Sequence, residues 1–130
     1  MTTGVVLMAY GTPRSAAEIE PYYVDIRRGR PPTPEQLADL VRRYDAIGGT
    51  SPLATLTEQQ GAVLQDALDE RVPGAFVVTL GLKHAAPKVE QGVATLVAAG
   101  VDRIVGLVLA PHFSSMSVGE YTGRAAAAAV

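Results

Sequence analysis

Three short apolar runs set the limits of this fold. Residues 4–9, 75–80 and 103–109 are almost continuously apolar, and each ends at turn-forming or polar residues. Runs of that length suit strands buried on both faces, not amphipathic surface strands. Between them lie segments with helical start and stop signals. Ser15-Ala16-Ala17-Glu18 has the spacing of a capping box, Pro21 can restart the helix it opens, and Pro31-Pro32 stops it. Thr33-Pro34-Glu35-Gln36 combines a cap, a Pro at the first helical position and a Gln at the third; Gly48-Gly49 ends the helix. Thr57-Glu58-Gln59-Gln60 predicts a third helix start, with a stop before Pro73-Gly74. Further helices are expected over residues 86–99, capped by Gly100, and from about Ser117 onward. The order is β-α-α-α-β-α-β-α. Apolar strands alternating with helices predict an α/β fold, a parallel sheet with helices on both faces.

The 130 residues amount to one domain, and 48% of them are hydrophobic, enough for a core without disulfide or metal support. The chain has no cysteine, which removes thiolate metal sites, iron–sulfur ligation and Cys nucleophiles, and points to a reducing, cytoplasmic setting. A net charge of −2 provides no general attraction for nucleic acid or anionic lipid. The amino terminus lacks a basic leader, and its apolar run is too short to span a membrane.

In an open parallel sheet, ligands bind beyond the carboxyl ends of the strands. Those ends are Tyr10-Gly11-Thr12, Lys83-His84 and His112-Phe113-Ser114-Ser115, so both histidines and one of five tyrosines gather there. Either histidine, taken singly, reads equally as a loop residue bonding backbone. Arg27, Arg28, Arg30, Arg42 and Arg43 are five of the 11 basic residues within a short stretch. By pattern alone they suit solvated helix ends as well as a site for carboxylates or phosphates. No Gly-rich dinucleotide loop, phosphate-binding P-loop or nucleophile elbow follows the strands.

Several longer motifs carry a family resemblance. They are Met8-Ala9-Tyr10-Gly11-Thr12-Pro13, Tyr22-Tyr23 with Ile26-Arg27-Arg28-Gly29-Arg30, and Arg43-Tyr44-Asp45-Ala46-Ile47-Gly48-Gly49. Ser51-Pro52-Leu53, Thr57-Glu58-Gln59-Gln60, Gly81-Leu82-Lys83-His84 and Leu109-Ala110-Pro111-His112-Phe113-Ser114 follow in order. Together they resemble the amino-terminal half of bacterial ferrochelatases of the coproporphyrin type, from about Val5 to Arg124. The resemblance implies a Rossmann-like, chelatase-like three-layer domain, here incomplete, and insertion of ferrous iron into coproporphyrin III or protoporphyrin in cytoplasmic haem synthesis. It implies Tyr10 as an axial ligand of product iron. It implies porphyrin contacts at Arg27, Arg43, Tyr44, Ser51 and Tyr121, and cleft-lining places for Arg28, Arg30, Lys83 and His84. Iron and porphyrin are substrates in such enzymes, and no resident cofactor is implied. His112 and Ser114 read mainly as loop architecture. The family's catalytic His and Glu lie in a second half that nothing in these 130 residues matches, and its first domain has four strands where three are legible here. The expected explanation is a fragment or truncation, because the terminal alanine run Ala125-Ala126-Ala127-Ala128-Ala129 lacks a helix stop. A porphyrin-binding but inactive piece and a short chelatase that pairs with itself are the other readings.

Overall fold

The computed structural model describes residues 1–110 and 112–130. The strands are β1 (Thr3–Ala9), β2 (Phe76–Leu82) and β3 (Arg103–Val108). The helices are α1 (Ile19–Ile26), α2 (Pro34–Asp45), α3 (Leu53–Arg71), α4 (Val89–Ala98) and α5 (Val118–Ala128). The strands form one parallel sheet in the order β2-β1-β3, with Thr3 opposite both Phe76 and Arg103. All seven residues of β1 are buried, as its unbroken apolar run requires of a central strand.

Alternation along β1 divides the core. Val6 and Met8 point to one face and pack with Val89, Val93 and Leu96 of α4 and Tyr121 of α5. Leu7 points to the other face, where α3 crosses the sheet. Gly61 of α3 sits so close that an added Cβ would meet Leu80 and Leu7. Helices therefore cover both faces. On β3 the cover is partial: Ile104 and Val108 face α4 and α5, whereas Val105, Leu107 and Leu109 remain 42–48% exposed on the α3 side. The terminal alanines serve close packing: Ala125 and Ala128 lie against the α4 cluster. Gly92 serves the same end on α4. Its position leaves no room for a side chain, because a Cβ would run into the Leu80 carbonyl oxygen.

Several boundaries differ from the sequence expectations. Ser15 makes no side-chain cap. The Glu18 carboxylate instead accepts from the Arg14 N–H at 2.6 Å, and a short 3-10 turn (Ala16–Glu18) precedes α1. α3 starts four residues before Thr57, at Leu53. Pro52 holds the N-cap place without a side-chain bond, Ser51 Oγ before it accepts the Leu53 N–H at 3.2 Å, and Thr57 sits inside the helix, donating to the Leu53 carbonyl. α4 starts at Val89, after Pro87, whose carbonyl accepts the Leu82 N–H at the end of β2. The Thr33 capping box forms as expected, with Thr33 Oγ1 accepting from Gln36 N–H and Gln36 Oε1 accepting from Thr33 N–H.

Candidate functional site

The carboxyl ends of β1 and β2 are held side by side by backbone. The Lys83 N–H donates to Ala9 O at 2.9 Å and the His84 N–H to Tyr10 O at 3.0 Å. This continuation of the ladder brings Tyr10 beside His84, their ring centroids 4.6 Å apart. Tyr22 of α1 meets both rings edge-on, each at 6.4 Å. Such aromatic contacts contribute about 0.5–1.5 kcal/mol each beyond the area they bury. Gly11 makes the turn that follows: its φ is +87°, and a Cβ there would press on Ala85.

His84 is fixed at a second point. Its Nδ1 lies 2.7 Å from Asp25 Oδ2, and Lys88 Nζ lies 2.8 Å from Asp25 Oδ1. Burial acts to raise the Asp25 carboxyl, but bonds from Lys88 and His84 outweigh it and hold the group below its ordinary value. These residues, with Pro13, Glu18, Pro21 and Tyr22, line a hollow of about 240 Å³. Asp25 was not singled out in the sequence. It sits in an ordinary helical register and meets His84 only through the fold, 59 residues away.

On the other side of α1 lie two hollows that share Leu40, Arg43 and Tyr44. One, about 280 Å³, adds Tyr22, Tyr23, Ile26, Gln36 and Asp39. The other, about 290 Å³, adds Thr12, Ile47 and Ser51. Arg43 bridges to Asp39 at 2.9 Å, with most of its side chain in solvent. The Arg27 guanidinium lies 5.9 Å from the Tyr23 ring centroid, and its Nε is buried without a partner, as is Thr12 Oγ1. Arg28 holds the left-handed end of α1 at φ +58°, where Gly is the usual residue, at a cost of about 1–2 kcal/mol. Arg28 and Arg30 are exposed, and Arg30 Nε donates to the Arg27 carbonyl.

The structure thus brings Arg43, Tyr44 and Ser51 into one hollow, with Arg27 on the adjoining helix end and Tyr10 at the end of β1. Neither Tyr121 nor Lys83 lines that hollow, although both lie near Tyr10. Tyr121 is 4% exposed in the α4–α5 core, and burial pushes its hydroxyl up to about 12. Lys83 is 7% exposed; its ammonium bonds Glu120 at 2.7 Å and the Met116 carbonyl at 2.9 Å and lies over the Tyr121 ring. Burial, followed by Glu120 and Tyr44, raises the Tyr10 phenol above its ordinary range. Tyr22 is raised by burial too, with smaller contributions from Tyr44 and Tyr10. His112 and Ser114 occupy exposed loop positions, and Ser114 Oγ accepts the Ser117 N–H. Pro111 of the same motif lies outside the described residues. Among the described residues, no three His, Cys, Asp or Glu side chains gather into a metal-holding group. No helix there is long and apolar enough to cross a membrane.

Chemically, the surface combines aromatic and aliphatic side chains with guanidinium and hydroxyl groups. It suits a partly apolar molecule that carries carboxylates or phosphates. The ferrochelatase family model matches residues 2–130. The coproporphyrin III ferrochelatase of Halalkalibacterium halodurans is 51% identical over 123 residues, covering 94% of this chain and 40% of that protein. Those of Staphylococcus epidermidis and Bacillus subtilis are each 50% identical, over 95% and 94% of this chain and 41% and 40% of their own lengths. The chain spans about two fifths of the length of these relatives.

Proposed function

The chain belongs to the ferrochelatase family, and from that premise we propose that it forms the amino-terminal part of an enzyme inserting ferrous iron into coproporphyrin III. The observation that carries this reading is the hollow where Arg43, Tyr44 and Ser51 meet apolar Leu40 and Ile47. The apolar side chains offer a bed for one side of a macrocycle. Arg43, and the guanidinium nitrogens of the neighbouring Arg27, would donate charge-assisted hydrogen bonds to its propionates. Coproporphyrin, with four propionates, matches this density of arginine better than protoporphyrin with two. Ser51 uses its hydroxyl oxygen on the Leu53 N–H, which leaves its hydroxyl proton for a carboxylate.

Tyr10 is the candidate ligand for the inserted iron. Burial raises its phenol, so the ring meets the incoming propionates uncharged; its oxygen would ligate the iron of the product once dioxygen has oxidised it to the ferric state, releasing the phenol proton to solvent. The reaction asks for distortion of the macrocycle and removal of two pyrrole protons by a base. The His and Glu that the family resemblance assigns to metal delivery and proton removal fall outside these 130 residues. The second wall of the cleft is likewise assigned to protein beyond them. The cytoplasm is the compartment proposed for the reaction.

The test is a titration of the full-length protein with coproporphyrin III, followed by ferrous insertion read from the porphyrin absorption bands. Arg43→Met is expected to weaken binding by about tenfold or more, the worth of one charge-assisted hydrogen bond. Tyr10→Phe is expected to abolish the tyrosinate-to-iron absorption of the oxidised product. Unchanged binding in Arg43→Met and Arg27→Met together, or no metal insertion by the full-length protein, would overturn the reading.

A further inference from the structure

We propose that Asp25 is a positioning residue for this site: it fixes the His84 imidazole, and His84 in turn braces the Tyr10 ring at the end of β1. The inference rests on the reading of Tyr10 as the iron ligand, but its structural core stands apart from that reading.

The geometry runs through five side chains. Asp25 offers two carboxylate oxygens. Oδ1 receives the Lys88 ammonium at 2.8 Å, and Oδ2 faces His84 Nδ1 at 2.7 Å. A carboxylate held by an ammonium accepts hydrogen bonds and donates none, so the proton between Asp25 and His84 belongs to Nδ1. That bond, together with the His84 backbone N–H bonded to Tyr10 O at 3.0 Å, leaves the imidazole little freedom to rotate. The ring is also nearly buried, its side chain 12% exposed. It lies against Tyr10 at 4.6 Å, with Tyr22 closing the third side at 6.4 Å from each.

Tyr10 needs such a brace. Its residue is 43% exposed, and a ring that open, on a chain end leaving a strand, has several rotamers within reach. The contacts with His84 and Tyr22 select one. Placement of a ligating oxygen to within a fraction of an ångström depends on such supporting bonds. Lys88 keeps the carboxylate charged and pinned from its far side. The chain order conceals this arrangement: Asp25 lies on α1, His84 follows β2 and Lys88 precedes α4.

The experiment has two arms. In the full-length protein without porphyrin, nitrogen-15 NMR of the histidines, with His84 assigned by its loss in His84→Gln, reads which ring nitrogen carries the proton. A protonated Nδ1 is expected, lost in Asp25→Ala and retained in Asp25→Asn, whose amide oxygen still accepts. In the second arm, the oxidised iron product is formed in each variant. Asp25→Ala is expected to shift and broaden the tyrosinate-to-iron absorption and to lower kcat, while KM for coproporphyrin stays unchanged. Asp25→Asn is expected to restore most of the absorption. A neutral His84 protonated only at Nε2 in the wild type, or Asp25→Ala indistinguishable from wild type in both arms, would overturn the proposal. Should Asp25→Ala fail to fold, the wild-type tautomer and Asp25→Asn still decide it. A fixed Nδ1 proton with no tyrosinate absorption in any variant would leave the Asp25–His84 bond standing and remove Tyr10 as ligand.

Discussion

The charged residues of this chain differ in how much the fold asks of them. Arg42 and Arg43 reach across exposed turns of α2 to Asp39, pairs of the kind that contribute little. Arg124 is engaged more fully. Its Nε and Nη2 grip the two oxygens of Glu90 at 2.6 and 2.9 Å, and its Nη1 donates to the Lys83 carbonyl, tying α5 to α4 and to the end of β2. Bonds from Arg124 hold the Glu90 carboxyl below the ordinary 4.5, against a smaller opposing effect of burial. A carboxyl depressed on folding adds stability that is fully present above its unfolded value and is lost as pH falls through the folded one. Stability is therefore expected to decline below about pH 4.5, with a shallower decline in Glu90→Gln. Urea midpoints measured across that range check it; equal slopes in the two proteins would contradict it.

Elements owe their positions to a few close approaches. Gly92 lets α4 settle onto β2, and Thr79 Oγ1 donates to the Gly92 carbonyl at 3.1 Å across the contact. Gly92→Ala is expected to cost about 1–3 kcal/mol, although Ala is the better helix former, because the obstructing atom is backbone and cannot rotate away. A urea melt with unchanged slope and a lower midpoint is the expected result. On the opposite face, Gln65 of α3 pairs with the outer edge of β2. Its Nε2 donates to Phe76 O at 2.9 Å, and its Oε1 accepts the Val78 N–H at 2.8 Å. One side-chain amide thus stands in for a neighbouring strand and blunts that edge. The helix starts at Thr33 and the ends at Gly48 and Gly100 were legible because caps act within a few residues. The side-chain caps expected at Ser15 and Thr57 do not form, because Glu18 accepts the Arg14 N–H and α3 begins four residues before Thr57.

At the scale of the molecule, the two outer edges of the sheet are unequal. β2 has Gln65 along its edge, whereas β3, among the described residues, pairs only with β1 and leaves Val105, Leu107 and Leu109 exposed. A flat apolar strip beside free backbone donors and acceptors favours association. The 130-residue chain made by itself is expected to self-associate, and Leu107→Lys to reduce this; light scattering against concentration reads the difference. The apolar runs and their spacing determined by themselves that the chain makes a parallel α/β sheet, because buried strands and capped helices are written in neighbouring residues. The motif series likewise disclosed the family. The tertiary structure decided which of those residues meet. It gathered Arg43, Tyr44 and Ser51 in one hollow, buried Lys83 and Tyr121 in the α4–α5 core, and set Asp25 against His84. Those pairings depend on strand register and on how closely helices approach the sheet, which are settled by packing between residues far apart in the chain.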